Sequence, residues 1–320
     1  MKQGGIRSIL VVFLVIFLST SAAAAELLVP VGQAVGLELE SDGLSVAGFD
    51  KSLGAQSAGL QVGDLIIKAD GNPVNRAKDL QNAVNHCKTG LILTVLRDGR
   101  EVNLTVQPAQ ADGGKRLGIY VREGIAGIGT VTYYQPDSGA FGALGHGISD
   151  SQGNLLPLRS GKVLGAEVVS VKKGRVGEPG QLQGAFQADN PMGELLRNTS
   201  FGIFGSAEDG WPGTPLPAAE SGEIHTGPAV ILSNIQGTQV EEYAVEIQKL
   251  YPGDHAQGRN LLIHVTDPAL LEATGGIVQG MSGSPIVQDG KLIGAVTHVL
   301  VNDPTTGYGI FIENMLDAAA

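Results

Sequence analysis

Glycine occupies 47 of the 320 positions, and this density limits what the chain can fold into more than any single motif does. A glycine in a helix interior costs about 1 kcal/mol relative to alanine, and the apolar stretches between these glycines are short. Residues 127–134, 162–171, 230–235 and 261–265 are runs of strand length bounded by Gly, Pro and Asp, which is the pattern of a mostly β protein. Only residues 77–84, 241–250 and 314–320 read as helices or helical turns. Residues 174–214, rich in Gly, Pro and Asn, read as extended surface loops. The length supports about two domains, each with its own core.

The turn Gly280-Met281-Ser282-Gly283-Ser284-Pro285 has the form G-x-S-G-x-P. Small residues at these positions let a serine hydroxyl stand clear of the backbone while neighbouring amides converge on a developing oxyanion. Gly280, Met281 and Ser282 are the expected oxyanion-hole segment, and Ser282 at the bend is the expected nucleophile. Ser284 points elsewhere and is free to hydrogen-bond the turn. Strand-like residues 285–287, the Asp289-Gly290 turn and strand-like residues 292–296 follow. The cadence resembles that of chymotrypsin-like peptidases, which implies a double β-barrel over residues 111–320.

Composition narrows the partners. A net charge of -11 argues against a phosphate-binding surface and against nucleic acid as a partner, because nucleic-acid affinity comes from clustered Lys and Arg. Cys87 is the only cysteine, so no internal disulfide and no cysteine-based metal site form, and no cofactor is implied. At the N-terminus, Lys2 and Arg7 precede an apolar run over residues 9–18 and the small residues 19–25, which reads as a signal peptide or membrane anchor over 1–25. Export without disulfides fits a bacterial extracytoplasmic compartment.

Residues 26–110 follow another grammar. Ala58-Gly59-Leu60, Gly63-Asp64, Ile66 and Asp70-Gly71 match A-G-L-x-x-G-D-x-I-x-x-x-[DN]-G, a pattern that resembles PDZ domains. The resemblance implies that Val35, Gly36 and Leu37 form the loop that takes a peptide C-terminal carboxylate, with peptide adding as a strand beside it. Residues 107–114 read as an exposed linker open to self-cleavage, as do residues 21–25.

The succession of an N-terminal address, a PDZ module, Gly145-His146-Gly147, Thr266-Asp267-Pro268, the run over 275–286 and Thr297-His298-Val299 is similar to the stage IV sporulation protein B peptidases. By this resemblance His146 is the general base and Asp267 its acidic partner, with Asp150 the alternative; His298 shapes the substrate pocket. The family implies a secreted or anchored regulatory serine endopeptidase between the mother-cell and forespore membranes. It would cleave the extracytoplasmic domain of a membrane-bound regulator, so that intramembrane proteolysis activates a late sigma factor. Two other readings stay open: a catalytically silent PDZ adaptor and a quality-control protease.

Overall fold

The computed structural model describes residues 26–50, 58–150, 153–207, 209–253 and 258–320; the expected signal or anchor over 1–25 lies outside them. The chain begins with β1 (Leu27–Pro30) and the long β2 (Ala34–Phe49). Next come β3 (Leu65–Ala69), β4 (Asn72–Pro73), α1 (Ala77–His86), β5 (Leu91–Arg97) and β6 (Arg100–Val106). The hairpin β7 (Ala109–Ala111) and β8 (Gly114–Arg116) stands where a linker was expected. The long β9 (Ile119–Gln135) leads into β10 (Ala140–Ala143), β11 (Ser160–Lys172), β12 (Gln181–Thr199) and β13 (Gly202–Ala207). The short β14 (Leu216–Pro217) precedes a final group: β15 (Gly227–Ser233), β16 (Glu241–Leu250), β17 (Leu261–Val265), α2 (Pro268–Thr274), β18 (Pro285–Gln288), β19 (Lys291–Leu300), β20 (Asp303–Phe311) and α3 (Ile312–Ala319).

These strands close two six-stranded barrels. In the first, β9 pairs with β10, and the ring continues through β13, β12, β11 and β2 back to β9. The second runs β15, β16, β17, β20, β19, β18 and closes between β18 and β15. The architecture is mostly β, a PDZ module combined with a double-barrel protease domain. Closure pairs the strands of each ring on both sides, except along residues 124–130 of β9, whose second edge pairs with no strand among the described residues.

Strands β2 and β9 are each shared by two bodies. Their facing halves, residues 34–40 and 124–130, pair inside the first barrel, while residues 45–49 of β2 pair with 119–122 of β9 in the PDZ sheet. That second sheet continues through β3, β5 and β6, over a core of Leu44, Ile66, Leu80, Val84, Leu91 and Leu93. The PDZ module is therefore threaded between two barrel strands, and residues 34–40 belong to the barrel.

Two local expectations are corrected. Residues 241–250 form strand β16, because Tyr243, Val245 and Ile247 are buried in alternation with exposed neighbours, a period of two that only a strand turns to one face. Residues 174–214 contain β12 and β13. Their glycines serve close packing: a Cβ at Gly205 would stand 2.0 Å from the Glu194 carbonyl oxygen. No helix among the described residues is long and apolar enough to cross a membrane.

Candidate active site

The turn expected to carry the nucleophile follows α2 and is seated backbone against backbone. Gly283 has φ +99°, and a Cβ there would lie 2.0 Å from the Thr130 carbonyl oxygen and 2.6 Å from the Leu144 amide. Only glycine permits both the dihedral and the approach. Thr130 of β9 joins the pieces: its amide donates to the Ser282 carbonyl (3.1 Å), its carbonyl accepts from the Leu144 amide (3.2 Å), and its hydroxyl donates to the Gly280 carbonyl (2.7 Å). One buried residue thus fixes both the histidine loop and the serine turn. Leu144, two residues before His146, has φ +69°, a strained value for a non-glycine residue that the Thr130 contact helps to hold.

His146 and Ser282 line one cleft of about 510 Å³ between the barrels, with Leu37, Ile128, Val278, His298 and Val299 among its apolar and aromatic walls. The Ser282 hydroxyl donates to the Thr297 carbonyl at 2.7 Å, so its proton is held there and not by His146. The Nδ1 atom of His146 lies 2.9 Å from the Gly147 carbonyl oxygen. In the neutral ring tautomer that suits this contact, Nδ1–H donates to Gly147 and Nε2 keeps its lone pair. The His298 ring stands 5.3 Å from that of His146, centroid to centroid. Burial lowers the His146 pKa, partly offset by the Gly147 carbonyl. Burial, then the neighbouring His146 and Arg259, lower His298 to about 4. Both shifts favour the neutral ring.

Fewer free amides stand in the expected oxyanion segment than its three residues would supply. The amides of Gly280 and Ser282 have no acceptor among the described residues, whereas the Met281 amide donates to the Val278 carbonyl at 3.1 Å and the Met281 side chain is fully buried. Gly280 and Ser282 are the available donors, and Met281 is corrected to a structural position. Ser284 is also buried, and its hydroxyl has no partner among the described residues, so it neither enters the cleft nor bonds the turn.

Asp267 is not brought to His146. Its carboxylate caps α2, with Oδ1 accepting from the Ala269 and Leu270 amides at 2.9 and 3.0 Å and Oδ2 from the Ala244 amide at 3.3 Å. A Ser/Thr/Asp/Asn residue before Pro at a helix start is an N-cap signal, and here that local chemistry claims the carboxylate. Asp150 accepts from Asn154. The strand opposite the histidine loop, β13, offers Gly202, where a Cβ would lie 3.1 Å from the Ala143 carbonyl oxygen. No carboxylate is recorded as bonding the His146 ring among the described residues.

The expected peptide-binding loop is also corrected. Val35, Gly36 and Leu37 are buried in β2, flanked by Gly129, Ile128 and Gly127 of β9 on one side and by Gly165, Leu164 and Val163 of β11 on the other. With both edges paired, no peptide adds there. The open edge belongs to β9. Helix α1 lies beside it, tied by the Ala77 amide to the Glu123 carboxylate (2.8 Å) and by the Gln81 side chain to the Lys115 carbonyl (2.9 Å). The sequence signal for this arrangement, Arg116-Leu117-Gly118-Ile119, lies beyond the boundary expected for the module.

The family model for SpoIVB peptidase S55 matches residues 113–316, and a PDZ domain model matches residues 34–107. A probable periplasmic serine endoprotease, DegP-like, from Pseudomonas savastanoi pv. phaseolicola is 36% identical over 95 residues, 25% of this chain, and the match spans only 20% of that protein's length. Two structures of the Rv3671c protease, an inactive form and an inactive serine-to-alanine mutant from M. tuberculosis H37Rv, are 14% identical. They cover 60% and 61% of this chain and 82% of theirs with TM-scores of 0.34 and 0.36, too distant to inform the site. The family match spans most of the chain, and the chain belongs to the SpoIVB peptidase S55 family: it is a serine peptidase carrying a PDZ domain.

Proposed function

We propose that Ser282 is the nucleophile and His146 the general base, oriented by the Gly147 carbonyl. The observation that carries this reading is the meeting of His146, Ser282 and two unpartnered amides in one cleft. Ser282 turns from the Thr297 carbonyl to His146 Nε2, loses its proton to it and attacks the substrate carbonyl. The amides of Gly280 and Ser282 hold the oxyanion. His146 then passes the proton to the leaving amine, and water repeats the sequence to release the acyl group. The apolar walls favour an apolar side chain at the cut. A fluorophosphonate probe is expected to label Ser282, mapped by mass spectrometry; a label confined to another residue overturns the assignment.

The biological role proposed is an exported regulatory peptidase of spore formation, acting on the extracytoplasmic domain of a membrane-bound regulator and also cutting its own N-terminal region. The family match and the export-type N-terminus over 1–25 support it. In a spore-forming bacterium lacking its own family member, the wild-type gene is expected to restore heat-resistant spores and the Ser282→Ala gene is not. Equal rescue by both removes the proteolytic role. The DegP-like relative supports a second reading, extracytoplasmic quality control, which predicts protection against heat stress in non-sporulating cells.

A further inference from the structure

We propose that the open edge of β9 is a single substrate track leading from the PDZ groove into the catalytic cleft, so that the peptidase cuts an extended chain at a set distance from that chain's own C-terminus. The proposal rests on the catalytic reading of Ser282, which fluorophosphonate labelling tests separately.

Three observations place the track. First, residues 119–130 of β9 pair with β2 on one side only; among the described residues, strand pairing on the other edge begins at Val131 with β10. Second, the free edge ends at the nucleophile. The amide and carbonyl of Thr130 point away from β2, to Ser282 and Leu144. Backbone polar groups alternate along an antiparallel strand, so those of Ile128, Ala126 and Gly124 point the same way. Ile125, Gly127 and Ile128 already line the cleft. Third, the edge begins at a seat for a carboxylate. The amides of Leu117 and Gly118, in the turn before β9, have no acceptor among the described residues, and α1 flanks the edge from Glu123 back to Lys115.

These features fix direction and length. A C-terminal carboxylate on the Leu117 and Gly118 amides starts a strand antiparallel to β9, a mode in which backbone pairing gives affinity. That strand passes Gly124 and Ala126 and reaches Ser282 just beyond Ile128. Ile119 to Ile128 is ten residues, with a shift of the β2 register between Arg122 and Gly124, and spans about 30 Å at ~3.3 Å per residue. The occupant is therefore the C-terminal tail of a polypeptide substrate. The cut falls about ten to twelve residues from its end, allowing one or two residues to cross from the last pair to the serine.

The test uses the full chain and two pools of synthetic peptides about 24 residues long with randomised sequence, one with free C-terminal acids and the other with amides. Cuts mapped by mass spectrometry are expected to cluster about ten to twelve residues from the end in the acid pool, whatever the sequence, with amide peptides about tenfold slower and unclustered. Equal positions and rates in both pools overturn the proposal, as does cleavage of neither pool by protein whose Ser282 takes the probe. Ala126→Pro removes one outward amide without touching the ladder to β2, a substitution edge strands tolerate. It is expected to abolish the clustering, and unchanged clustering in a folded variant counts against the track. If that variant does not fold, the two pools decide alone.

Discussion

Removing the hydroxyl of Ser284 is expected to stabilise the protein and leave catalysis intact, while the same change two residues earlier destroys catalysis. Ser284 is fully buried. Its amide donates to the Met281 carbonyl and its carbonyl accepts from the Val296 amide, both at 2.9 Å, but its hydroxyl finds no partner among the described residues. An unsatisfied buried hydroxyl costs about 1–3 kcal/mol. Deleting one oxygen leaves a void of roughly 15–20 Å³, about 0.4–0.5 kcal/mol at ~24 cal/mol per Å³. The balance is a net gain of about 0.5–2.6 kcal/mol for Ser284→Ala, or roughly 1–4 °C in Tm for a chain of this size. Ser282→Ala loses one hydrogen bond to Thr297, so its stability stays within about 1 kcal/mol of wild type, whereas kcat falls by about 10⁴–10⁶. Thermal unfolding and turnover of a peptide ester, measured on both variants, decide the matter. A destabilised or inactive Ser284→Ala protein refutes the assignment of the two serines.

Asp267→Ala is expected to cost about 0.5–2 kcal/mol through loss of the α2 cap, while Asp267→Asn keeps Tm and most of kcat; an Asn variant with normal Tm and a kcat lower by orders of magnitude would place the charge in the chemistry. Thr130→Val removes the hydroxyl that holds the Gly280 carbonyl and is expected to lower kcat about tenfold with little change in KM, with Thr130→Ser restoring it; equal loss in both variants indicates packing alone. The general base acts when neutral, and burial lowers the His146 pKa, so the acid limb of kcat/KM is expected below pH 6.5; a limb above that value refutes the environment described. His298, lowered to about 4, binds its proton more weakly folded than unfolded, so its contribution to stability is complete above pH 6.5 and is lost as pH falls toward 4, which unfolding measured across that window by NMR and denaturant tests.

What was legible in the sequence was local chemistry. Gly280 to Pro285 reads as a nucleophile turn because its glycines are demanded at short range, by φ at Gly283 and by its approach to Thr130. Residues 261–265 match β17, and residues 314–320 overlap α3. The errors came where two local rules compete or where pairing is long-range. Asp267 fits both a triad motif and an N-cap, and the adjacent Pro268 marks the cap. Val35, Gly36 and Leu37 read as a loop because their partners, residues 127–129 and 163–165, lie some 90 and 130 residues away. No window on the chain shows that both edges of a strand are taken. The expected peptide-binding position fails for the same reason: the motif that precedes the module runs into the barrel, and the strand with an unpaired edge, β9, follows the module in sequence.

Sharing β2 and β9 between two bodies also decides which fragments of this chain fold. A fragment of residues 111–320 keeps every residue of the expected peptidase domain but lacks β2, which sits between β9 and β11 in the first barrel. Val35, Leu37 and Leu39 on that strand are 2% exposed or less, and each contributes about 1.5–3 kcal/mol by burial. Their loss, with the ladder bonds to β9 and β11, is comparable to the whole stability of an ordinary domain, about 5–15 kcal/mol. The fragment is expected to be insoluble or molten, and to leave a peptide ester untouched. Deleting the PDZ module has a different consequence. Glu40 and Gly124 are cross-strand partners, so a two-residue Asn-Gly turn in place of 41–123 joins them as a hairpin and keeps the barrel closed. That shortened chain is expected to fold and hydrolyse the ester while losing the C-terminal spacing rule. Ester hydrolysis by the 111–320 fragment would show that β2 is dispensable and that the module is an appendage to the barrel.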